Sequence, residues 1–276
     1  MLKVIVTGST GLVGSRIIEL LGKEFIFLPL LQTHIDITDK DDVWKTLKEL
    51  EFDLFLHLAA YTNVDGAEQN RNLAFKVNKD GTKNIMDAVL YKRKRLIYIS
   101  TDFVFDGKNP PFYEDSLVNP ISTYGESKLE GEKVLAGKAM IVRISYPYRK
   151  TFEIKKDFVR AVRTLLEQRK KLSMVSDSLI TPTFIDDIAY ALKHLMQNYT
   201  NEVFHINGGG ALSPFAAGKM VARIFGLEED LIMPVAYKEY FKKKALRPQL
   251  SDIRSKKNTF YRMKSFEEGL QFMLRS

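Results

Sequence analysis

The chain has 276 residues, 45% of them hydrophobic and 28% charged, a formal charge of +8 and no cysteine. That balance suits one large or two small globular domains with a sizeable core, and the missing thiols exclude disulfides, thiolate metal sites and cysteine nucleophiles. The longest apolar run, residues 25–31, is far shorter than the about 20 residues of a membrane span, and no leader precedes the first strand, so a cytoplasmic protein without a membrane partner is expected.

The first predicted strand, residues 3–7, runs into Gly8-Ser9-Thr10-Gly11-Leu12-Val13-Gly14, and a helix is expected over 12–21. Glycines at a strand-to-helix turn permit a tight bend and bring backbone N–H groups, at the positive end of a helix, close to an anion. The arrangement predicts a pyrophosphate cradle, although its spacing departs by one residue from G-x-G-x-x-G. A turn serving only strand-to-helix packing is the competing explanation.

Strands at 25–30, 53–60, 95–101 and 139–145 then alternate with helices at 41–50, 67–89 and 122–135. This is the pattern of an α/β fold, a Rossmann-like doubly wound parallel sheet. Residues 54–60 are almost continuously apolar, as a strand covered on both faces should be. His57 inside that run is expected to be a hydrogen-bonded core residue.

Beyond Pro147 the alternation weakens to a helix at 152–168, a strand at 172–176, a helix at 185–197 and a strand at 203–207. Pro182, Gly208-Gly209-Gly210, Pro234 and Pro248 punctuate this part. The expected division is a dinucleotide-binding domain over 1–150 and a smaller, discontinuous C-terminal substrate lobe over 151–276, some of whose segments return to the first domain. Ligands are expected between the two, beyond the C-terminal strand ends.

Tyr124 and Lys128 stand four residues apart, on one helix face. An ammonium so placed stabilises phenolate and is expected to lower the tyrosine pKa from about 10 toward neutrality, making Tyr124 a proton donor. Tyr146/Lys150 and Tyr240/Lys244 share the spacing. What singles out Tyr124 is its place on the helix that follows Ser100-Thr101-Asp102, a strand end offering a hydroxyl where substrate should sit.

The remaining charged clusters have plainer explanations. Lys242-Lys243-Lys244, Arg247, Arg254 and Lys256-Lys257 carry few aromatics and no nucleic-acid fold signature, so a solvated basic face is expected, with a pocket edge for an anionic substrate as the alternative, and no nucleic-acid partner. Asp186-Asp187 reads as a helix cap and first turn, not a metal site, and no metal is expected. Asp106-Gly107 and Asn109-Pro110-Pro111 read as turns, Glu126 and Glu130 as a solvated face.

The glycine turn and the Thr101…Tyr124-x-x-x-Lys128 set together resemble the extended short-chain dehydrogenase/reductase family. Within it, Asp36-Ile37-Thr38-Asp39, Ala59-Ala60-Tyr61-Thr62-Asn63-Val64-Asp65, Val77-Asn78, residues 100–107, 124–132 and Arg143-Ile144-Ser145 are similar, in order, to the blocks of the dTDP-4-dehydrorhamnose reductase subfamily. The resemblance implies reduction of the 4-keto group of a nucleotide-activated deoxysugar, a nucleotide-sugar partner and a homodimer. It implies that Gly8, Ser9, Thr10, Gly11, Leu12 and Val13 lie against the cofactor pyrophosphate, Asp36 and Ile37 against adenine, and Leu58, Ala59, Ala60, Tyr61 and Asn78 along the path toward nicotinamide. Lys128 would hold the nicotinamide ribose, Thr101 and Tyr124 the keto oxygen, with Asp102, Tyr146 and Arg247 on the substrate. Phe103 stands where the subfamily has tyrosine, Ser145-Tyr146-Pro147-Tyr148 replaces Ser-Trp-Val-Tyr, and Gln249-Leu250-Ser251-Asp252 matches only in part.

Leu30-Leu31-Gln32-Thr33-His34 places no carboxylate after the second strand to repel a 2′-phosphate, which favours NADPH, with NADH as the alternative. An epimerase or dehydratase of the same superfamily would return the hydride; a dehydratase needs an acid beside Thr101, and Asp102, as its strand neighbour, is expected to face away. A cofactor-binding regulatory subunit, resembling that of methionine adenosyltransferase, is the non-enzymatic alternative.

Overall fold

In the computed structural model, which describes residues 1–275, the first half of the chain alternates as predicted. β1 (Lys3–Thr7), α1 (Gly14–Leu21), β2 (Ile26–Leu30), α2 (Lys40–Glu49) and β3 (Leu54–His57) are followed by α3 (Val64–Gln69), α4 (Arg71–Phe75) and α5 (Thr82–Tyr91). β4 (Arg95–Thr101), α6 (Thr123–Leu135) and β5 (Met140–Ile144) complete it. The second half contains β6 (Pro147–Tyr148), α7 (Phe158–Glu167), β7 (Leu172–Val175), β8 (Thr183–Phe184), α8 (Ile185–Gln197) and β9 (Val203–His205). It ends with α9 (Pro214–Ile224), β10 (Ile232–Val235), α10 (Tyr237–Tyr240) and α11 (Phe266–Arg275).

Among the described residues six parallel strands form the main sheet in the order β2-β1-β3-β4-β5-β9. The strands read as continuously apolar because successive side chains enter different layers. Val4, Val6, Leu54, Leu56, Ile97 and Val142 pack in one core with α1 and α8, whereas Ile5, Phe55, Leu96, Tyr98 and Ile141 pack in the other with α2 and α5. A third apolar cluster joins Tyr148, α7, Met174, Phe184, α9, Ile232 and α11 beside the sheet. Residues 185–205 come from after that lobe begins, yet α8 packs in the first core and β9 extends the sheet.

Some boundaries differ from expectation. The helix expected over 67–89 is interrupted at Asn70 (φ −124°, ψ 48°), whose side chain donates to Gly66 O at 3.1 Å and so competes with helix continuation. A wide π turn, Lys76–Gly81, follows α4. There the Asn78 amide bonds the backbone of Tyr61 and the Ser127 hydroxyl, partners remote in sequence. α1 begins at Gly14, not 12, because residues 8–13 stay in the turn, and α7 begins at Phe158, not 152, where the Asp157 carboxylate accepts from Arg160 N at 3.0 Å. No helix among the described residues is long and apolar enough to cross a membrane.

Candidate active site

A cavity of about 910 Å³ opens at the C-terminal ends of β1, β3 and β4, between the sheet and the second lobe. The glycine turn forms one wall. Gly8 has φ +69°, and a Cβ on it would come within 2.8 Å of Ala59 N; a Cβ on Gly14 would stand 2.4 Å from Gly8 O. Close approach of β1, β3 and α1 therefore requires both to be bare. Gly8 through Val13 line the cavity, and among the described residues no side chain caps the start of α1. Ser9 Oγ is buried and has no hydrogen-bond partner among them. A buried hydroxyl without a partner is costly; beside an open helix N-terminus it fits the phosphate oxygens of a dinucleotide.

At the β2 end, Leu30, Leu31, Gln32, Asp36 and Ile37 line the cavity. Thr38 donates from its N and Oγ1 to the Asp36 carboxylate, at 2.9 and 2.8 Å, which holds that carboxylate below its usual pKa. Leu58, Ala59, Ala60 and Tyr61 continue the wall beyond β3. Asn78 does not line it, contrary to the expectation of direct cofactor contact. It is buried behind Tyr61, accepting from Tyr61 N at 2.8 Å and donating to Tyr61 O at 3.1 Å, and so positions the wall. His57 is a core residue bonded to Thr7 and Thr82; burial, with the nearby Lys128 charge, lowers its pKa to about 3.

Thr101 ends β4, and Tyr124 and Lys128 project from α6, whose start is capped by Ser122. All three line the cavity, whereas Lys150, Tyr240 and Lys244 do not. Lys244 lies instead 3.8 Å from the Tyr240 ring centroid. Burial dominates the electrostatics here. It raises the Tyr124 pKa above that of an ordinary phenol, against a hydrogen bond with Thr101. Burial outweighs the expected depression by Lys128, whose ammonium donates to Ile99 O at 2.8 Å and sits 3.9 Å from the Tyr98 ring centroid. Burial lowers Lys128 itself to about 7, partly offset by Glu132. Tyr124 is thus a fully protonated phenol at neutral pH.

Asp102 corrects a second expectation. The chain leaves the strand at Thr101 and enters a 3₁₀ turn, Asp102–Val104, so strand alternation no longer governs it and Asp102 shares the cavity wall with Thr101. Its carboxylate accepts hydrogen bonds from Thr101 Oγ1 at 3.1 Å, Ser145 Oγ at 2.8 Å and Ser251 Oγ. Burial raises its pKa against those three donors. Asp102 thereby ties the ends of β4 and β5 to the C-terminal segment.

Tyr146 lines the cavity at φ +40°, a left-handed conformation costing about 1 kcal/mol for a residue with a Cβ, and its carbonyl accepts from Thr183 N at 3.1 Å. Arg247 also lines it, paired with Asp65 at 2.9 Å across the cleft mouth and 4.9 Å from the Phe241 ring centroid. Phe103 occupies the place of the absent tyrosine and packs edge-on to Tyr124. Asp186 and Asp187 are in the first turn of α8, but neither caps it. Asp186 takes two hydrogen bonds from Arg16 and Asp187 takes those of Tyr261 and Lys264.

The sequence pattern missed Lys155, Lys156, Asp157 and Phe158, which also line the cavity, because they fall inside the helix expected over 152–168. The acid at 157, a residue type suited to a helix N-cap, was the available signal.

The family model described as RmlD substrate binding domain matches residues 2–276. A dTDP-4-dehydrorhamnose reductase of Sinorhizobium fredii is 31% identical over 81% of this chain and 78% of its own. One of Mycobacterium tuberculosis is 32% identical over 86% of this chain and 80% of its own. The crystal structure of the Bacillus anthracis dTDP-4-dehydrorhamnose reductase, in complex with NADP, matches with a TM-score of 0.92 at 31% identity, covering 99% of both chains.

Proposed function

Because the chain belongs to the family described as RmlD substrate binding domain, we propose that it is an NADPH-dependent oxidoreductase reducing the 4-keto group of a nucleotide-activated deoxysugar, dTDP-4-dehydrorhamnose. The observation that carries this is the convergence of the glycine turn, Thr101, Tyr124 and Lys128 on one cavity. Bound NADPH supplies the hydride. The N–H groups of residues 8–13 other than Gly11 N, which donates to Gly8 O, would hold its phosphates together with Ser9 Oγ; Asp36 and Ile37 would border the adenine, residues 58–61 would form the wall leading to the reacting end, and Lys128 would hold a ribose hydroxyl.

Thr101 and Tyr124 present their hydroxyls to the keto oxygen. Negative charge grows on that oxygen as the carbon is reduced, and two fixed donors in a water-poor cleft stabilise it more than they stabilise the ground state. Tyr124 passes its proton to the oxygen, and the Lys128 charge, one helical turn along the same face of α6, would stabilise the phenolate left behind. In this structure the Thr101 proton is donated to Asp102, itself braced by Ser145 and Ser251, so donation to the keto oxygen requires Thr101 to turn that proton from the carboxylate to the substrate. We assign residues 1–150 with 185–205 to the dinucleotide domain and the rest of 151–276 to the substrate lobe; Tyr146, at the end of the first, and Arg247, in the second, meet the sugar nucleotide. A homodimer in the cytoplasm completes the proposal, checked by light scattering and cell fractionation.

The test is NADPH oxidation, followed at 340 nm, with dTDP-4-dehydrorhamnose as substrate. One cofactor consumed per sugar is expected. Turnover without net oxidation would mean an epimerase or dehydratase, and cofactor binding without turnover on any 4-keto sugar would favour a regulatory subunit. Tyr124→Phe should lower kcat by about 10²–10⁴ with NADPH binding retained; full turnover in that variant would refute the assigned proton donor.

A further inference from the structure

The cations that line the cavity are not equivalent. Arg247 is paired with Asp65, and Lys128 is buried, donating to Ile99 O and lying against the Tyr98 face. Lys155 and Lys156 line the cavity, are exposed, and form no ion pair among the described residues. The Asp157 carboxylate next to them is occupied by Arg149 N, Arg160 N and Arg160 Nε.

The segment carrying these lysines is fastened beside the glycine turn. Arg149 reaches across to donate to Leu12 O at 3.4 Å and Ser15 Oγ at 3.0 Å, while its guanidinium carbon lies 5.4 Å from the Phe152 ring centroid. Arg160 gathers the segment from the other side, donating to Phe152 O and to Lys155 O, the latter at 2.7 Å. Two lysines without counter-ions are thereby held on the second-lobe side of a cleft whose sheet side holds the unpartnered Ser9 Oγ.

We propose that Lys155 and Lys156 form a cationic strap over the dinucleotide, contributed by the second lobe and directed at the diphosphate held by residues 8–13. This rests on the assignment of the cavity to a dinucleotide. The diphosphate is preferred to the 2′-phosphate because Arg149 anchors the segment to Leu12 and Ser15, at the start of α1, rather than to the end of β2. A strap from the opposite lobe also couples phosphate binding to closure of the cleft, since the anion bridges both walls.

The test is the Kd of the whole protein for NADPH and for NADH, by quenching of protein fluorescence at several salt concentrations. In K155Q/K156Q both dissociation constants should rise about tenfold, the size expected for two partly exposed charge contacts, and the salt dependence should flatten because screened contacts have gone. K155R/K156R should restore affinity. K242Q/K243Q, which removes equal charge from residues outside the cavity wall, should leave affinity unchanged. Unaltered Kd in K155Q/K156Q, or an equal loss in K242Q/K243Q, would overturn the strap; a loss confined to NADPH would overturn the diphosphate assignment. Wild-type protein that binds neither dinucleotide would overturn the cavity assignment itself, an outcome distinct from these.

Discussion

Lys128 is expected to be a stability cost that the fold carries for its chemistry. It is 2% exposed, and burial lowers its pKa from 10.5 to about 7. Above 10.5 it is neutral in both folded and unfolded chains and contributes nothing. As pH falls from 10.5 toward 7 the unfolded chain takes up a proton that the folded one does not, so stability declines; below 7 both are charged and the penalty is constant. At about 1.4 kcal/mol per tenfold change in protonation, the interval between the two pKa values corresponds to about 4 kcal/mol at pH 7. Lys128→Met keeps the length of the side chain and removes the charge, at a cost of about 1 kcal/mol for the hydrogen bond lost at Ile99 O. The ligand-free variant should therefore be about 3 kcal/mol more stable than wild type at pH 7, and no more stable at pH 11, while reductase activity collapses. Urea unfolding at pH 6, 7, 9 and 11 measures the difference. A variant less stable than wild type at pH 7, or an advantage independent of pH, would refute the argument that burial sets the state of this lysine.

Gly14→Ala places a methyl group 2.4 Å from Gly8 O, so the start of α1 must move away from the turn; NADPH affinity should fall by more than about tenfold, equivalent to about 1.4 kcal/mol, and an unchanged Kd would show that the turn tolerates the shift. Ser251→Ala removes one donor from the buried Asp102 carboxylate, which should cost about 1.5–3 kcal/mol of stability, read from urea unfolding at pH 7. With that donor gone the Asp102 pKa rises further, so the excess loss should shrink in acid, as Asp102 becomes protonated; a loss that does not change with pH would contradict this. Glu132→Ala leaves Arg143 buried without its counter-ion, both side chains being 5% exposed, and should destabilise by about 3–5 kcal/mol in the same assay; a neutral result would mean that His205, 3.3 Å from Arg143, or solvent replaces Glu132.

Local pattern determined the sheet of this protein. β1 and β4 run over residues 3–7 and 95–101, and α8 over 185–197, where periodicity put them, because apolar side chains on each strand feed two helical layers and leave little freedom for another period. The glycine turn was equally legible, since Gly8 and Gly14 answer a backbone demand within a few residues. Tyr124, singled out among three equal spacings by its place after β4, a topological argument rather than a chemical one, lines the cavity together with Lys128. α9 and α11 went unread although Ser213-Pro214 is a strong helix start; their apolar stripes have meaning only against one another and α7, in a cluster assembled from distant segments.

What only tertiary structure decided is the electrostatic state and the division of labour at the site. Nothing near Asn78 in sequence shows that its amide will be taken by Tyr61 and Ser127, and nothing near Asp102 shows that Ser145 and Ser251 will meet its carboxylate. Residue types four apart predicted that Lys128 would act on Tyr124, but burial, a property of the folded chain, raised the phenol and lowered the amine instead. Lys155 and Lys156 fall inside the helix expected over 152–168, but the Asp157 cap starts α7 only at Phe158 and leaves them in an irregular segment that lines the cavity. Strand and turn geometry depend on neighbours in sequence, whereas desolvation and charge pairing depend on neighbours in space.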